Sequence, residues 1–368
     1  MLLRFCSSLL LLYISMAGIA YSSGWLGLNS TADHKSRAPS KIAVVPSIKW
    51  QSEIERDAVF ASPVIASGLV FIVAHDAKIQ ALDIKNGLLK WEATLGAAIS
   101  ATPAVGGNTL IVAGKDGIVA AFDVMSGKRL WTVKTGGMIL SSPVIVDGVV
   151  FFGSKDLFLY ALNLKSGELI WRYQTEDYKY GGIYASPAVD DQHIYFGTKN
   201  GLLYALNRTD GKLSWKSSVG SAVYGAAMLD KEHLYLGAYD RNIYAIQSDT
   251  GEIDWATKLD DWPQGSPVLV DGVLTVVTRR GTLYSLDKKW GKILWQQSLN
   301  EGVRHGLSVD ANGVGIMGTL MGRLIGIDLK SHKILWEEYM NGPIWSQAAI
   351  IDGEIVVVTQ DGGVTLLH

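Results

Sequence analysis

From about residue 41 onward the apolar positions fall in short runs broken by turn residues, and no stretch carries the period of an amphipathic helix. In Ser142-Pro143-Val144-Ile145-Val146-Asp147-Gly148-Val149-Val150-Phe151-Phe152-Gly153, two β-branched and aromatic runs flank an Asp-Gly pair, which predicts a hairpin. A third run, Leu157 to Leu164, and a fourth around Trp171 follow after further turns. The same order then recurs. Trp50, Trp91, Trp131, Trp171, Trp215, Trp255, Trp295 and Trp336 are spaced by 41, 40, 40, 44, 40, 40 and 41 residues. A fixed period of this length is the mark of a repeat architecture, and it overrides the two or three domains that 368 residues would otherwise suggest.

Three columns accompany the tryptophans. Ten residues before Trp91 and each later one stand Ala81, Ala121, Ala161, Ala205, Ala245, Ser285 and Gly326, all small. Four before stand Gly87, Gly127, Gly167, Gly211, Gly251 and Gly291, with His332 as the exception. Twenty-eight before stand Pro63, Pro103, Pro143, Pro187, Ala227, Pro267 and Ser308. The glycine fits a turn at positive φ, and the small residue leaves space for an indole from a neighbouring strand or blade. Length varies only between a Trp and the next proline column, so the repeat body is rigid and one connection, Thr175 to Tyr184, is elaborated.

Four short strands per repeat describe the blade of a β-propeller. After Trp336 the columns continue through Ala348, Asp352-Gly353 and Gly362-Gly363-Val364, and the chain ends before a fourth strand. Trp50 stands in a fourth strand with no three before it. The two fragments complete one blade. The expectation is therefore an all-β, eight-bladed propeller of four-stranded antiparallel blades over residues 41–368, closed by an N-terminal strand that covers the exposed sheet edge.

The first forty residues differ. Arg4 is the only charge before Asp33, and Leu9-Leu10-Leu11-Leu12-Tyr13-Ile14 precedes small residues at Gly18 and Ala20. This is a secretory pattern, read as a signal peptide over 1–20 and a mature chain found in the periplasm; the uncharged stretch Phe5 to Ala32 is also long enough for an uncleaved anchor, the one case in which membrane contact is expected. Residues 21–40, rich in Ser, Asn and Gly, read as a flexible linker. A net charge of -2 supplies no basic field for nucleic acid, and with Cys6 the single cysteine there is no disulfide, zinc CxxC or redox pair.

The run Tyr160-Ala161-Leu162-Asn163-Leu164-Lys165-Ser166-Gly167-Glu168-Leu169-Ile170-Trp171 resembles the tryptophan-docking repeat of the quinoprotein, or PQQ-like, propellers. Among these, an exported chain of this length with nothing beyond the ring is similar to the BamB family, scaffold subunits of the machinery that inserts β-barrels into the outer membrane. That resemblance implies a non-catalytic role and a partner within an envelope assembly. BamB-type proteins are lipoproteins, whereas Cys6 precedes the apolar run and is not in a lipobox position. The same resemblance raises quinone-dependent dehydrogenases, which are longer, many of them covering the quinone with adjacent cysteines and binding calcium through carboxylates and amides. Neither an adjacent cysteine pair nor a carboxylate cluster is evident here; Asp260 and Asp261 read as a solvated rim, so no cofactor and no metal is expected.

Other catalytic patterns are missing too. Seven scattered histidines form no HExxH, and no GxSxG elbow or phosphate loop before a helix occurs. What remains is a binding surface, for an envelope protein or, alternatively, for a glycan or small ligand stacked on aromatic rings. Three residues before the proline column stand Phe60, Ser100, Leu140, Tyr184, Tyr224, Gln264, His305 and Trp345. The elaborated connection adds Tyr178 and Tyr180, and Trp262 and Arg304 lie in equivalent connections. Tyr, Trp and Arg dominate interface energetics, which makes Tyr178, Tyr180, Tyr184, Tyr224, Trp262, Arg304 and Trp345 the candidate partner-binding set.

Overall fold

The computed structural model describes residues 27–28, 31–43, 45–54, 58–176 and 181–368. These form eight four-stranded antiparallel sheets and, among the described residues, no helix. Blades 1 to 7 span residues 64–94, 104–134, 144–174, 188–218, 228–258, 263–298 and 308–339, each in sequential strand order. Blade 8 takes three strands from 349–367 and its outermost from Ile48–Glu53. Trp50 pairs with Leu366, and Ser47 and His368 exchange both backbone hydrogen bonds, at 2.9 and 3.0 Å. The ring is closed as the repeat count predicts.

Burial follows strand rank. The second and third strands of each blade are packed on both faces, as in Leu69–Val73, every residue of which is buried. The fourth strand alternates between exposed and half-buried, with the Trp facing inward. The small-residue column is explained within the blade, because Ala81 pairs directly with Trp91, and a Cβ on Gly326 would lie 2.1 Å from the Trp336 indole. The glycine column is explained between blades. Gly211, at φ +69°, would place a Cβ 2.6 Å from the Trp171 indole of the blade before it. The indole then donates onward, as Trp91 Nε1 does to the Val124 carbonyl (2.9 Å) and Trp215 Nε1 to that of Ser248 (2.7 Å). Sheet-to-sheet docking is thus fixed by one ring per junction, and at the junctions of Trp50, Trp91, Trp131, Trp171, Trp215 and Trp255 by an indole hydrogen bond as well. At the exception, His332 stacks on Trp295 with ring centroids 4.2 Å apart.

A second circuit lines the channel. The Ser62 N–H donates to Thr102 Oγ1, Thr102 N–H to Ser142 Oγ, Ser142 N–H to Ser186 Oγ and Gln347 N–H to Ser62 Oγ, at 2.9–3.1 Å. Buried backbone donors at the head of the inner strands are satisfied by the next blade's hydroxyl, which ties neighbouring sheets together where no Trp reaches.

The described part of the expected linker differs from a free tether. Residues 31–42 run through the channel and along one of its mouths. Val189 and Leu229 N–H donate to the Ala32 and Asp33 carbonyls; Val309 N–H donates to Ser36, Ala38 N–H to Val309, and Ala311 N–H to Ser40. His34, Ser36 and Ala38 are buried, with His34 Nε2 2.8 Å from the Pro187 carbonyl and its pKa lowered by that burial. Composition signalled flexibility, but exposed inner-strand backbone gives the segment something to pair with. The candidate signal peptide and the first part of the linker lie outside the described residues.

Candidate partner-binding site

The channel has two different ends. At the lower mouth, where each blade turns from its first to its second strand, the segment 31–35 crosses a cavity of about 460 Å³ lined by Asp190, Asp191, Arg208 and Lys231. Four ion pairs stand here: Lys35 with Asp33 (2.6 Å), Arg208 with Asp147 (2.9 Å), Lys288 with Asp230 (2.7 Å) and Lys330 with Asp271 (2.5 Å). At the upper mouth, where each Trp strand leads into the next blade, a funnel of about 220 Å³ opens above Leu28.

The candidate residues meet around this funnel in two arcs. Tyr184 packs edge-on against Tyr224 (5.3 Å between centroids), Tyr224 against Tyr239 (4.5 Å), and Tyr239 stacks on Trp262 (4.6 Å). Lys155 lies over Tyr184 at one end and Arg279 over Trp262 at the other, at 5.8 and 5.3 Å. Across the mouth, Arg304 lies 4.9 Å over Trp345, Trp345 packs on Phe60 (5.1 Å), and Phe60 meets His75 and Lys115. Tyr178 and Tyr180 lie outside the described residues. Aromatic contacts at 4.5–6 Å hold these side chains in fixed positions, so they present a prepared surface rather than flexible loops.

Electrostatics follows from desolvation. Burial raises the Tyr224 phenol, with Tyr239 and Tyr184 adding to the effect. His305, inside the funnel, is pushed down to about 4, chiefly by desolvation and also by Arg304, against the opposing pull of the Phe60 carbonyl. It is therefore neutral near pH 7. Asp260 and Asp261 are used locally, the first accepting from Thr282 Oγ1 at 2.7 Å and the second lying 3.7 Å from Arg280.

Sequence reasoning missed Tyr239, which joins Tyr224 to Trp262. It belongs to a column sixteen residues before the Trp, comprising His75, Lys115, Lys155, Lys199, Tyr239, Arg279 and Leu320. Each member donates its backbone N–H to a carbonyl of the inter-blade connection, as Lys115 does to Ala98 and Lys199 to Gly182. The signal was present as a second column, hidden beside the Asp-Gly turn punctuation.

The family model for outer membrane protein assembly factor BamB matches residues 47–182, 178–284 and 279–368. This chain belongs to the BamB family. Its fold is similar to the crystal structure of BamB from Moraxella catarrhalis, with a TM-score of 0.74 and 16% identity over 88% of this chain and 99% of that one. It is also similar in fold to the quinohemoprotein alcohol dehydrogenase of Comamonas testosteroni, at a TM-score of 0.82 and 14% identity, covering 94% of this chain and 80% of that one. A europium-containing methanol dehydrogenase matches at 0.77 and 14%, covering 92% and 88%. No curated relative matches the sequence. Identities this low speak for the propeller alone.

The dehydrogenase neighbours make it necessary to ask whether a quinone and its metal ion fit the funnel. Its lining includes Gln264, Arg304, His305 and Gln347 but no Asp or Glu, and among the described residues no group of His, Cys, Asp or Glu is arranged to hold a metal. A hard cation needs several oxygen ligands, carboxylates foremost. The residues present do not fit that ion. No helix among the described residues is long and apolar enough to cross a membrane.

Proposed function

We propose that this chain is a non-catalytic scaffold of the cell envelope, exported to the periplasm, which holds a protein partner against the upper mouth of the propeller in the assembly of outer-membrane β-barrels. The observation carrying the reading is the continuous arc Tyr184, Tyr224, Tyr239 and Trp262, flanked by Lys155 and Arg279. Amphipathic rings fixed by one another offer large contact area at little entropic cost, the composition of interface hot spots. Membership of the BamB family supports the class of role, and the funnel's lack of carboxylates weighs against a calcium-dependent quinone reaction. Tyr178 and Tyr180, a few residues before Tyr184 in the sequence, stay in the proposed partner-binding set. The mature chain begins near Tyr21, which intact mass of the native protein would check.

Crosslinking in the native host followed by identification of captured proteins tests this reading. Recovery of barrel-insertion components, lost on replacing Tyr224 and Trp262 with Ala, is expected. Stoichiometric binding of pyrroloquinoline quinone with turnover of an alcohol would overturn it, and so would selective retention of a glycan with no protein captured.

A further inference from the structure

The upper mouth carries a charge pattern that the aromatic arcs do not explain. Lys115, Lys155, Lys199 and Arg279 occupy one column of the repeat, each held at the mouth by its backbone bond to an inter-blade connection, and Arg304 joins them from the connection into blade 7. Among the described residues none of these five enters an ion pair. The carboxylates that follow Lys115 and Lys155 in the turns are engaged locally: Asp116 caps Ile118 and pairs with Lys134, and Asp156 accepts from Gly136 N–H and from the Tyr160 hydroxyl at 2.7–2.8 Å. The funnel lining contains no acidic residue.

Same-sign charges gathered round a low-dielectric concavity focus a positive potential into it, although the chain as a whole carries -2. The chain's own upstream segment does not neutralise it, since no Asp or Glu occurs before Asp33. We infer that the upper funnel receives an acidic segment of the partner, a carboxylate-bearing loop or terminus whose charges meet Lys115, Lys155, Lys199, Arg279 and Arg304 while its backbone and apolar groups lie on the aromatic arcs. Concavity selects a protruding peptide over a flat lipid surface, because a cavity of about 220 Å³ admits a few side chains and a bilayer reaches only its rim. Arginine and lysine beside exposed ring faces suit carboxylates presented together with apolar side chains. This inference rests on the reading of the upper mouth as the partner interface.

The test uses the whole mature chain and a fluorescent octaglutamate peptide bearing one tyrosine, with the octaglutamine analogue and phosphatidylglycerol vesicles as further arms. The expected result is salt-sensitive binding of the glutamate peptide alone, weakened about thirtyfold in a variant carrying Lys155→Gln, Lys199→Gln, Arg279→Gln and Arg304→Gln, at roughly two- to threefold per exposed charge. Equal affinity for the glutamine peptide, an unchanged affinity in the variant, or binding to the vesicles in place of the peptide would overturn the inference. Partner capture separates the two levels. Loss of capture in Tyr224→Ala with Trp262→Ala but not in the charge variant would leave the interface standing and sink the acidic segment, whereas unchanged capture in both would sink the interface itself. Thermal melting of each variant confirms that the fold persists.

Discussion

The two mouths of one channel are built from the same repeat and end in opposite states. At the lower mouth the chain's own residues 31–42 pair with inner strands of blades 4, 5 and 7, and four ion pairs stand around them. At the upper mouth aromatic rings are stacked on one another, and cations stand round them with no ion pair among the described residues. Under the proposed reading, closure of the ring and recognition by it are separable, the first assigned to the Trp junctions and the N-terminal segment, the second to the inter-blade connections.

The largest effect expected concerns closure. A chain beginning at residue 54 lacks the outer strand of blade 8 and leaves the edge of the strand Gly363–Leu367 unpaired, so it should aggregate and lose its cooperative melt. An unchanged melting curve would contradict the shared-strand ring. A chain beginning at residue 43 keeps that strand and loses the lower-mouth segment together with Leu28 beneath the upper funnel, while the aromatic arcs and the cations of the upper mouth stay. Five backbone hydrogen bonds disappear, at roughly 1 kcal/mol net each, so urea unfolding should show a loss of about 5 kcal/mol while peptide binding at the upper mouth is retained. Loss of both together would show that the mouths are not independent.

Upper-mouth substitutions should do the reverse. Tyr224→Ala with Trp262→Ala should weaken partner capture by about 2 kcal/mol or more, near thirtyfold. The stability cost should stay near 1–2 kcal/mol, since the rings lose partly exposed stacking contacts rather than core burial. Replacing Tyr178 and Tyr180 with Ala should likewise cut capture by about 2 kcal/mol and change stability by no more than about 0.5 kcal/mol. Joint loss of stability and capture would instead make these tyrosines packing residues.

How much was legible beforehand differs between the two mouths. The Trp, Gly and small-residue columns specify the ring because each has a single steric reason that acts identically in every blade. Tyr184, Tyr224, Trp262, Arg304 and Trp345 were legible because they vary within an otherwise rigid frame. Tyr239 and the cation column were not, since a turn position beside Asp-Gly reads as punctuation until the fold folds it back against the connection. The pairing of residues 31–40 was not legible, because the Ser, Asn and Gly of the stretch 21–40 signal flexibility when no pairing partner is in view. His34 and Ser36 gain theirs from strands more than 150 residues away.

A further effect is a pH dependence to which His305 of the upper mouth contributes. His305 titrates at about 4 in the fold and near 6.5 when unfolded, so the unfolded chain binds the extra proton between those values. Its contribution is complete above pH 6.5 and is lost as pH falls toward 4, reaching about 2 kcal/mol at pH 5. Asp83, Asp123 and Asp271 have carboxyls held below their ordinary range, and their contributions are lost only at lower pH. Urea unfolding at pH 7.5 and pH 5 should therefore show a smaller loss in His305→Gln than in the parent, and an equal loss would place that histidine outside the desolvated funnel.

The central claim is that recognition belongs to the upper mouth. Placing a photo-crosslinking residue at Tyr239 in one chain and at Lys231 of the lower mouth in another, in the native host, compares the two ends directly. The account predicts one discrete partner adduct from position 239 and none from 231. An adduct from 231 with none from 239 would contradict it.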